Sequence, residues 1–302
     1  MSASGTLLGR LRPVDWVLLT YLAIESAVAL TRLELLPHVR WILLANGLAV
    51  LLVFLATRPG LGPVGRVLAE LYPIIVMVAS YGALDVLTGH GGVATHERTV
   101  QGWELALFGQ QVSREWWQRS PSQFWSTLLH GVYLSYYLIV PTGPLWFLAR
   151  GRRRDLRRVV LALLVTYAIC YIFFLLFPVA GPNYEFPRPS GMFVENPTAR
   201  LAYRLLARGS SYGAAFPSSH VAAALVASAA AGLGSISLGV LLGIPSVLLI
   251  VAVVYCQMHY AVDSLAGVLL AAVVIAGMVM LERRRESADR QISDQGRAVP
   301  HR

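Results

Sequence analysis

The sequence contains no lysine, and all of its 25 basic residues are arginine. Charge of either sign is scarce: 14% of the 302 residues are charged, against roughly 25% in an average soluble domain. That shortage excludes a water-soluble globule of this size, whose surface must be charged. An intrinsically disordered chain is excluded by the same numbers, because such chains are polar and charge-rich. Only two cysteines occur, Cys170 and Cys256, each inside an apolar run. A disulfide-stapled secreted domain is therefore excluded, and both read as small buried hydrophobes. What fills the chain is apolar: 56% of residues are hydrophobic, with a mean hydropathy of +0.59.

A helix that crosses a bilayer needs about 20 mostly apolar residues, and about eight such runs are present. They lie near 14–33, 39–57, 67–87, 124–148, 159–177, 218–233, 236–256 and 260–281. The first carries Asp15 and Glu25 and lacks a small-residue cleavage site before the next run. It reads as a span and not as a signal peptide. Gly232, Gly234 and Ser235 mark the turn between the nearly continuous sixth and seventh runs. The arginines cluster in four places: Arg10 and Arg12, Arg58 and Arg66, the stretch from Arg150 to Arg158, and Arg283 to Arg285. With an even number of spans all four fall on one side, which the positive-inside rule makes cytoplasmic. The net charge of +9 is thereby assigned to topology and to anionic membrane lipids, and not to nucleic acid.

The opposite side receives two long segments, 88–123 and 178–216. The first, with Trp103, Trp116 and Trp117 and with Trp125 just beyond its end, reads as a short amphipathic helix anchored at headgroup depth. The second is rich in proline, glycine and aromatics and reads as a loop, the kind of long connection that often carries function. An amphipathic helix over 197–207 within it carries Arg200 and Arg204, with Arg208 one residue beyond its end. These three recur at four-residue spacing and can snorkel to lipid headgroups. The polar segment 286–302 reads as a disordered tail.

Of seven histidines, His38, His90 and His96 fall in or beside loops, His301 in the tail and His130 inside a span as a candidate satisfied bundle residue. The other two reach the same outer membrane depth. Phe216-Pro217-Ser218-Ser219-His220 puts a proline and two serines at a helix start, where they cap free N–H groups and leave an anion-binding end. His259-Tyr260-Ala261-Val262-Asp263 spaces a histidine and an aspartate by four, on one helical face. There the carboxylate can accept the imidazole Nδ1–H and leave Nε2 free. A structural ion pair is the alternative. Inside a bilayer, however, ionisable residues mark function by default. Glu25, Asp85 and Glu104 read as groups paired within the bundle.

These two motifs resemble the second and third signatures of the type 2 phosphatidic acid phosphatase (PAP2) superfamily, over roughly 124–281. Residues 85–109 and Tyr133-Leu134-Ser135-Tyr136-Tyr137 also resemble the upstream part of its inositol phosphorylceramide synthase-like branch. The resemblance implies an all-α, polytopic transmembrane bundle: N-terminal spans and an interfacial segment over 1–122, and a PAP2-like core over 123–285. It implies a phosphatase or phosphotransferase acting on a lipid phosphate at the outer leaflet, in a bacterial plasma membrane by expectation, with no cofactor and no metal. His259 would be the nucleophile that forms a phosphohistidine, Asp263 its orienting partner and His220 the general acid. Ser218 and Ser219 would hold phosphate oxygens.

The chain departs from the family pattern in two places. The serine–arginine pair ahead of the third motif is replaced by Val251-Ala252-Val253-Val254-Tyr255, and the lysine of the first signature is missing although Arg188-Pro189 is present. Because phosphoryl transfer leans on charge stabilisation, Arg188 is the first candidate for the replacement cation. Asn183 and Tyr184 are candidate pocket residues, and Tyr255 and Gln257 are close to His259 in sequence. A membrane transporter using the same ionisable groups, or an inactive lipid-phosphate-binding protein, are the competing readings.

Overall fold

The computed structural model describes residues 7–89 and 92–297; His90, His301 and the end of the expected tail lie outside the described residues. Among the described residues twelve α-helices follow one another: α1 (Pro13–Thr31), α2 (Arg40–Ala56), α3 (Pro63–Thr88), α4 (Glu97–Phe108), α5 (Val112–Arg119), α6 (Gln123–Ala149), α7 (Arg153–Leu176), α8 (Pro182–Glu185), α9 (Pro197–Gly209), α10 (Ser219–Gly234), α11 (Ile236–Tyr255) and α12 (Ala261–Arg297). Among the described residues there is no strand, only an isolated bridge between Val179 and Ala214. Among the described residues seven helices are long and apolar enough to cross a membrane, and the 16-residue α10 is a shorter apolar one. The expected eight runs therefore correspond to seven full-length spans and one short helix. The fold is a polytopic membrane bundle of helices.

Local chemistry sets the boundaries. Proline stands in the first turn of α1, α3, α8 and α9, where its missing N–H costs nothing. Ser122, Asn196 and Ser218 accept backbone N–H bonds as caps of α6, α9 and α10. The segment 286–297 is helix and not the disordered tail expected from its polarity. It contains no proline, and glycine only at 296. A helix already nucleated by the span before it extends at one hydrogen bond per residue, without a new nucleation cost.

Polar ties join the helices at both ends. At one end Arg12 pairs with Asp15 (2.9 Å) and Glu70 (3.5 Å), Arg157 holds Glu70, Arg154 holds Glu282 (2.8 Å), and Arg152 donates to the Gly234 carbonyl. This gathers the starts of α1, α3 and α7, the end of α10 and the far part of α12. At the other end Arg32 donates to the carbonyls of Leu87 (2.8 Å) and Leu175 (2.7 Å), which closes the last turns of α3 and α7 together. α1 and α3 both pack on α7. The N-terminal spans are thus built onto the core helices. Glu25 accepts from Tyr21 (2.8 Å), and the Asp85 carboxylate accepts the Tyr212 N–H (3.0 Å).

α10 and α11 pack closely against each other. A Cβ on Gly239 would lie 2.4 Å from the Gly232 Cα and 3.3 Å from the Ser228 carbonyl, and Ser228 and Ser246 share a 2.7 Å hydrogen bond across the seam. Small residues permit this approach, and dispersion contacts with interhelical hydrogen bonds reward it. Gly243, on the same helix, has nothing within 4 Å of its Cβ position. Gly239→Ala is expected to lower stability by about 1–3 kcal/mol through overpacking. Gly243→Ala is expected to leave stability unchanged or raised. Thermal unfolding of the two variants in detergent checks the contrast.

Candidate active site

The site forms at the end of the bundle away from the arginine network, where irregular backbone connects α7 to α10 and α11 to α12. Ser218 caps α10: its hydroxyl accepts the Val221 N–H (3.4 Å), and its own N–H donates to the Asp263 carbonyl (2.9 Å). A Cβ on Gly267 would stand 2.7 Å from the Ser218 carbonyl, so only glycine lets α12 come this close to the start of α10. Between α11 and α12, Gln257 takes a left-handed φ of 55°, uncommon for a residue with a side chain. Its amide accepts from the Trp117 indole (2.7 Å) and donates to the Pro187 carbonyl (3.0 Å). Trp117 is thus a tie to the site turn and not only an interface anchor.

This scaffold brings His220, His259 and Asp263 together. His259 Nε2 lies 3.3 Å from His220 Nδ1. On its other side, His259 Nδ1 is 3.0 Å from the Ala215 carbonyl and 3.4 Å from Asp263 Oδ2. A carbonyl can only accept, so Nδ1 carries the proton and Nε2 presents its lone pair towards His220. Burial pushes the His259 imidazole down to about 4, against the opposing pull of the Ala215 carbonyl, which keeps the ring neutral. The expected orienting carboxylate is displaced from first place by a backbone carbonyl. Asp263 Oδ2 accepts the Tyr260 N–H (2.8 Å) and Oδ1 is buried without a partner. His220 Nε2 faces the Tyr133 hydroxyl at 3.5 Å, and its ring lies 4.4 Å from that of Tyr136.

Two cavities meet at His220. A small one of about 30 Å³ holds both histidines with Asn183, Tyr184, Ser210, Tyr81 and Tyr133. A larger one of about 440 Å³ reaches Ser219 and His220 from between α3, α6 and α7 and is otherwise almost wholly apolar, walled by aliphatic residues and tyrosines. Asn183 and Tyr184 line the small cavity, and Asn183 Oδ1 is buried without a partner. Ser219 lines the larger cavity, whereas the Ser218 hydroxyl is engaged as a cap.

Arg188 is exposed and lines neither cavity; Arg200, Arg204 and Arg208 are exposed as well. Arg188 sits between Pro187 and Pro189, which hold the backbone extended, and the Pro187 carbonyl is tied to Gln257. Among the described residues no arginine lines either cavity. Tyr255 points elsewhere, donating to the Ser120 carbonyl (2.8 Å). His130 is buried with Nδ1 bonded at the Ser126 carbonyl (2.8 Å) and Nε2 unpartnered, so it is only half satisfied. Among the described residues no group of three or more His, Cys, Asp or Glu side chains could hold a metal ion.

Two carboxylates position this backbone. Glu97 accepts from the N–H groups of Ala180 (2.7 Å) and Gly181 (3.0 Å) and from the Tyr260 hydroxyl (2.6 Å). Glu104 accepts from Ser113 (3.4 Å) and Val262 (3.3 Å), at the starts of α5 and α12. Burial raises both carboxyl groups, and these hydrogen bonds pull them back. Glu97 went unread in the sequence, although Glu97, buried Val100 and Glu104 recur at i, i+3, i+7, the spacing of one inward face. The Ala215 carbonyl and Tyr133 carried no such signal.

Comparison with curated proteins and with solved structures returns no match. The sequence model of the PAP2 superfamily matches residues 98–277, from α4 into α12. The match covers more than half of the chain, contains both histidine motifs and Glu104, and leaves α1 to α3 outside it. The chain belongs to the PAP2 superfamily.

Proposed function

We propose that the protein is a phosphatase or phosphotransferase of a membrane lipid phosphate ester that works through a phosphohistidine. The observation that carries this is the pair of facing histidines in the small cavity, one of which, His220, also borders the 440 Å³ apolar cavity. An amphiphile can place its chain among the tyrosines and aliphatic residues of that cavity and its phosphorus at His259 Nε2, the two rings parting from their 3.3 Å contact to admit it. His259 Nε2 attacks phosphorus, and the bond from phosphorus to the lipid oxygen breaks. His220, protonated only once the anionic phosphate lies beside it, gives its proton to that departing oxygen. Water or a second alcohol then attacks phosphorus, returns its proton to His220 and breaks the P–N bond, which restores His259. The Ala215 carbonyl and Asp263 hold the nucleophile's tautomer and stabilise the charge it gains.

Oxygen atoms on phosphorus are received by neutral donors: Asn183, Tyr184, Ser219 and the free N–H groups at the start of α10. Arg188 takes no part, in contrast to the sequence expectation. A pocket without a lining guanidinium favours phosphorus that bears one negative charge over two. That supports a phosphodiester substrate and an alcohol acceptor, the chemistry of the inositol phosphorylceramide synthase-like branch. By the positive-inside rule the arginine-rich end is cytoplasmic, and the site faces the extracytoplasmic leaflet.

The direct test is turnover of phosphatidate, prenyl diphosphates and phosphoinositides by purified protein in liposomes with chelator present, with and without a lipid alcohol acceptor. Phosphate or headgroup transfer should occur for wild type and vanish in His259→Ala, together with any acid-labile phosphoprotein. His220→Gln should lose about 10²–10⁴-fold, and Arg188→Ala should stay within about threefold of wild type. Equal silence of wild type and His259→Ala on the whole panel overturns the proposal. The acid limb of kcat/KM, which reports the free enzyme, should lie below pH 5. His259 titrates near 4, so its lone pair persists where an ordinary histidine of about 6.5 is protonated. A pH–rate profile checks this.

A further inference from the structure

We propose that the protein carries a second, non-catalytic site for a phosphate group at its arginine-rich end. A cavity of about 390 Å³ lies there between the starts of α1, α3 and α7 and the far part of α12. Its charged lining is Arg12, Glu70, Arg154, Arg157, Arg158 and Arg285. Together with Arg152, these guanidinium groups pair with four carboxylates, those of Asp15, Glu70, Asp155 and Glu282. Among the described residues six guanidinium groups thus share four carboxylates.

One side chain of this network is incompletely bonded. Arg158 is only 9% exposed and bonds Asp155 through Nη2, while Nη1 stands 3.8 Å from Glu282. Its Nε is buried with no hydrogen-bond partner. A buried N–H without an acceptor is costly, and a guanidinium presents its N–H groups in a fork matched to phosphate oxygens. Arg285 is held only at 3.7 Å by Glu282 and is 57% exposed, free to turn onto a ligand at the rim. The remaining lining, Pro13, Val14, Val160 and Leu161, is apolar, which suits the first methylenes behind a headgroup. A phosphate ester fits all of these features; its source is either an anionic lipid of the leaflet at this end or a free phosphate.

Binding is to be measured on the full chain carrying His259→Ala, so that turnover does not consume the probe. Native mass spectrometry and thermal unfolding would follow phosphatidylglycerol, phosphatidylcholine and inorganic phosphate added separately. Retention of phosphatidylglycerol over phosphatidylcholine, weakened at least tenfold by Arg158→Gln and measurably by Arg285→Gln, supports a lipid headgroup site. Arg285→Gln keeps the test open should Arg158→Gln fail to fold. Stabilisation by inorganic phosphate with the same losses supports a free-anion site. Arg283→Gln, outside the cavity, should change neither. Binding that is equal for both cavity variants and the parent, or no preference for any phosphate probe over phosphatidylcholine, overturns the proposal.

Discussion

Backbone polar groups buried at membrane depth have no water to turn to, and the histidine end depends on how that constraint is met. A helix satisfies its own N–H and carbonyl groups, but a reaction centre needs loops and helix ends. Here long side chains supply what the backbone lacks. Glu97 takes two N–H groups of the loop after α7, Glu104 reaches the starts of two helices, and Arg32 covers the last carbonyls of two others. Gln257 and Ser218 fix the remaining turns. Remove these ties and the two histidines have no reason to meet at 3.3 Å.

The same constraint separates what the sequence discloses from what it hides. Spans are visible because each is a continuous apolar run, and the turn at Gly234 and Ser235 because glycine and serine interrupt one. His220, His259 and Asp263 are visible because ionisable side chains stand out against an apolar background. The Ala215 carbonyl that orients His259 is invisible, since every residue has one. Arg188 is conspicuous between two prolines, yet composition cannot reveal that Gln257 ties down the Pro187 carbonyl next to it and that its side chain stays exposed. The helix over 286–297 was hidden differently: polarity suggests disorder only for a segment that must nucleate alone.

The superfamily match begins in α4, yet the site is not confined to matched residues. Leu71, Ile74, Ile75, Val78 and Tyr81 of α3 form one wall of the apolar cavity beside His220. On the proposed reading, chemistry and chain recognition have separate origins in the sequence. The matched helices carry the reacting groups, and an N-terminal span shapes what can lie against them. Substitutions in α3 would then change which lipid is used without touching the histidines.

α10 has a consequence of its own. Sixteen residues rise about 24 Å, short of the roughly 30 Å of hydrocarbon a span must cross, and the helix reaches the arginine-rich end at Gly234. Its other end, with His220 in the first turn, stops several ångströms short of what a full span covers. On the proposed reading, a lipid would then not have to be lifted out of its leaflet to react: its phosphorus would sink a few ångströms while its chain stayed in oil, and the acceptor would descend from the aqueous side.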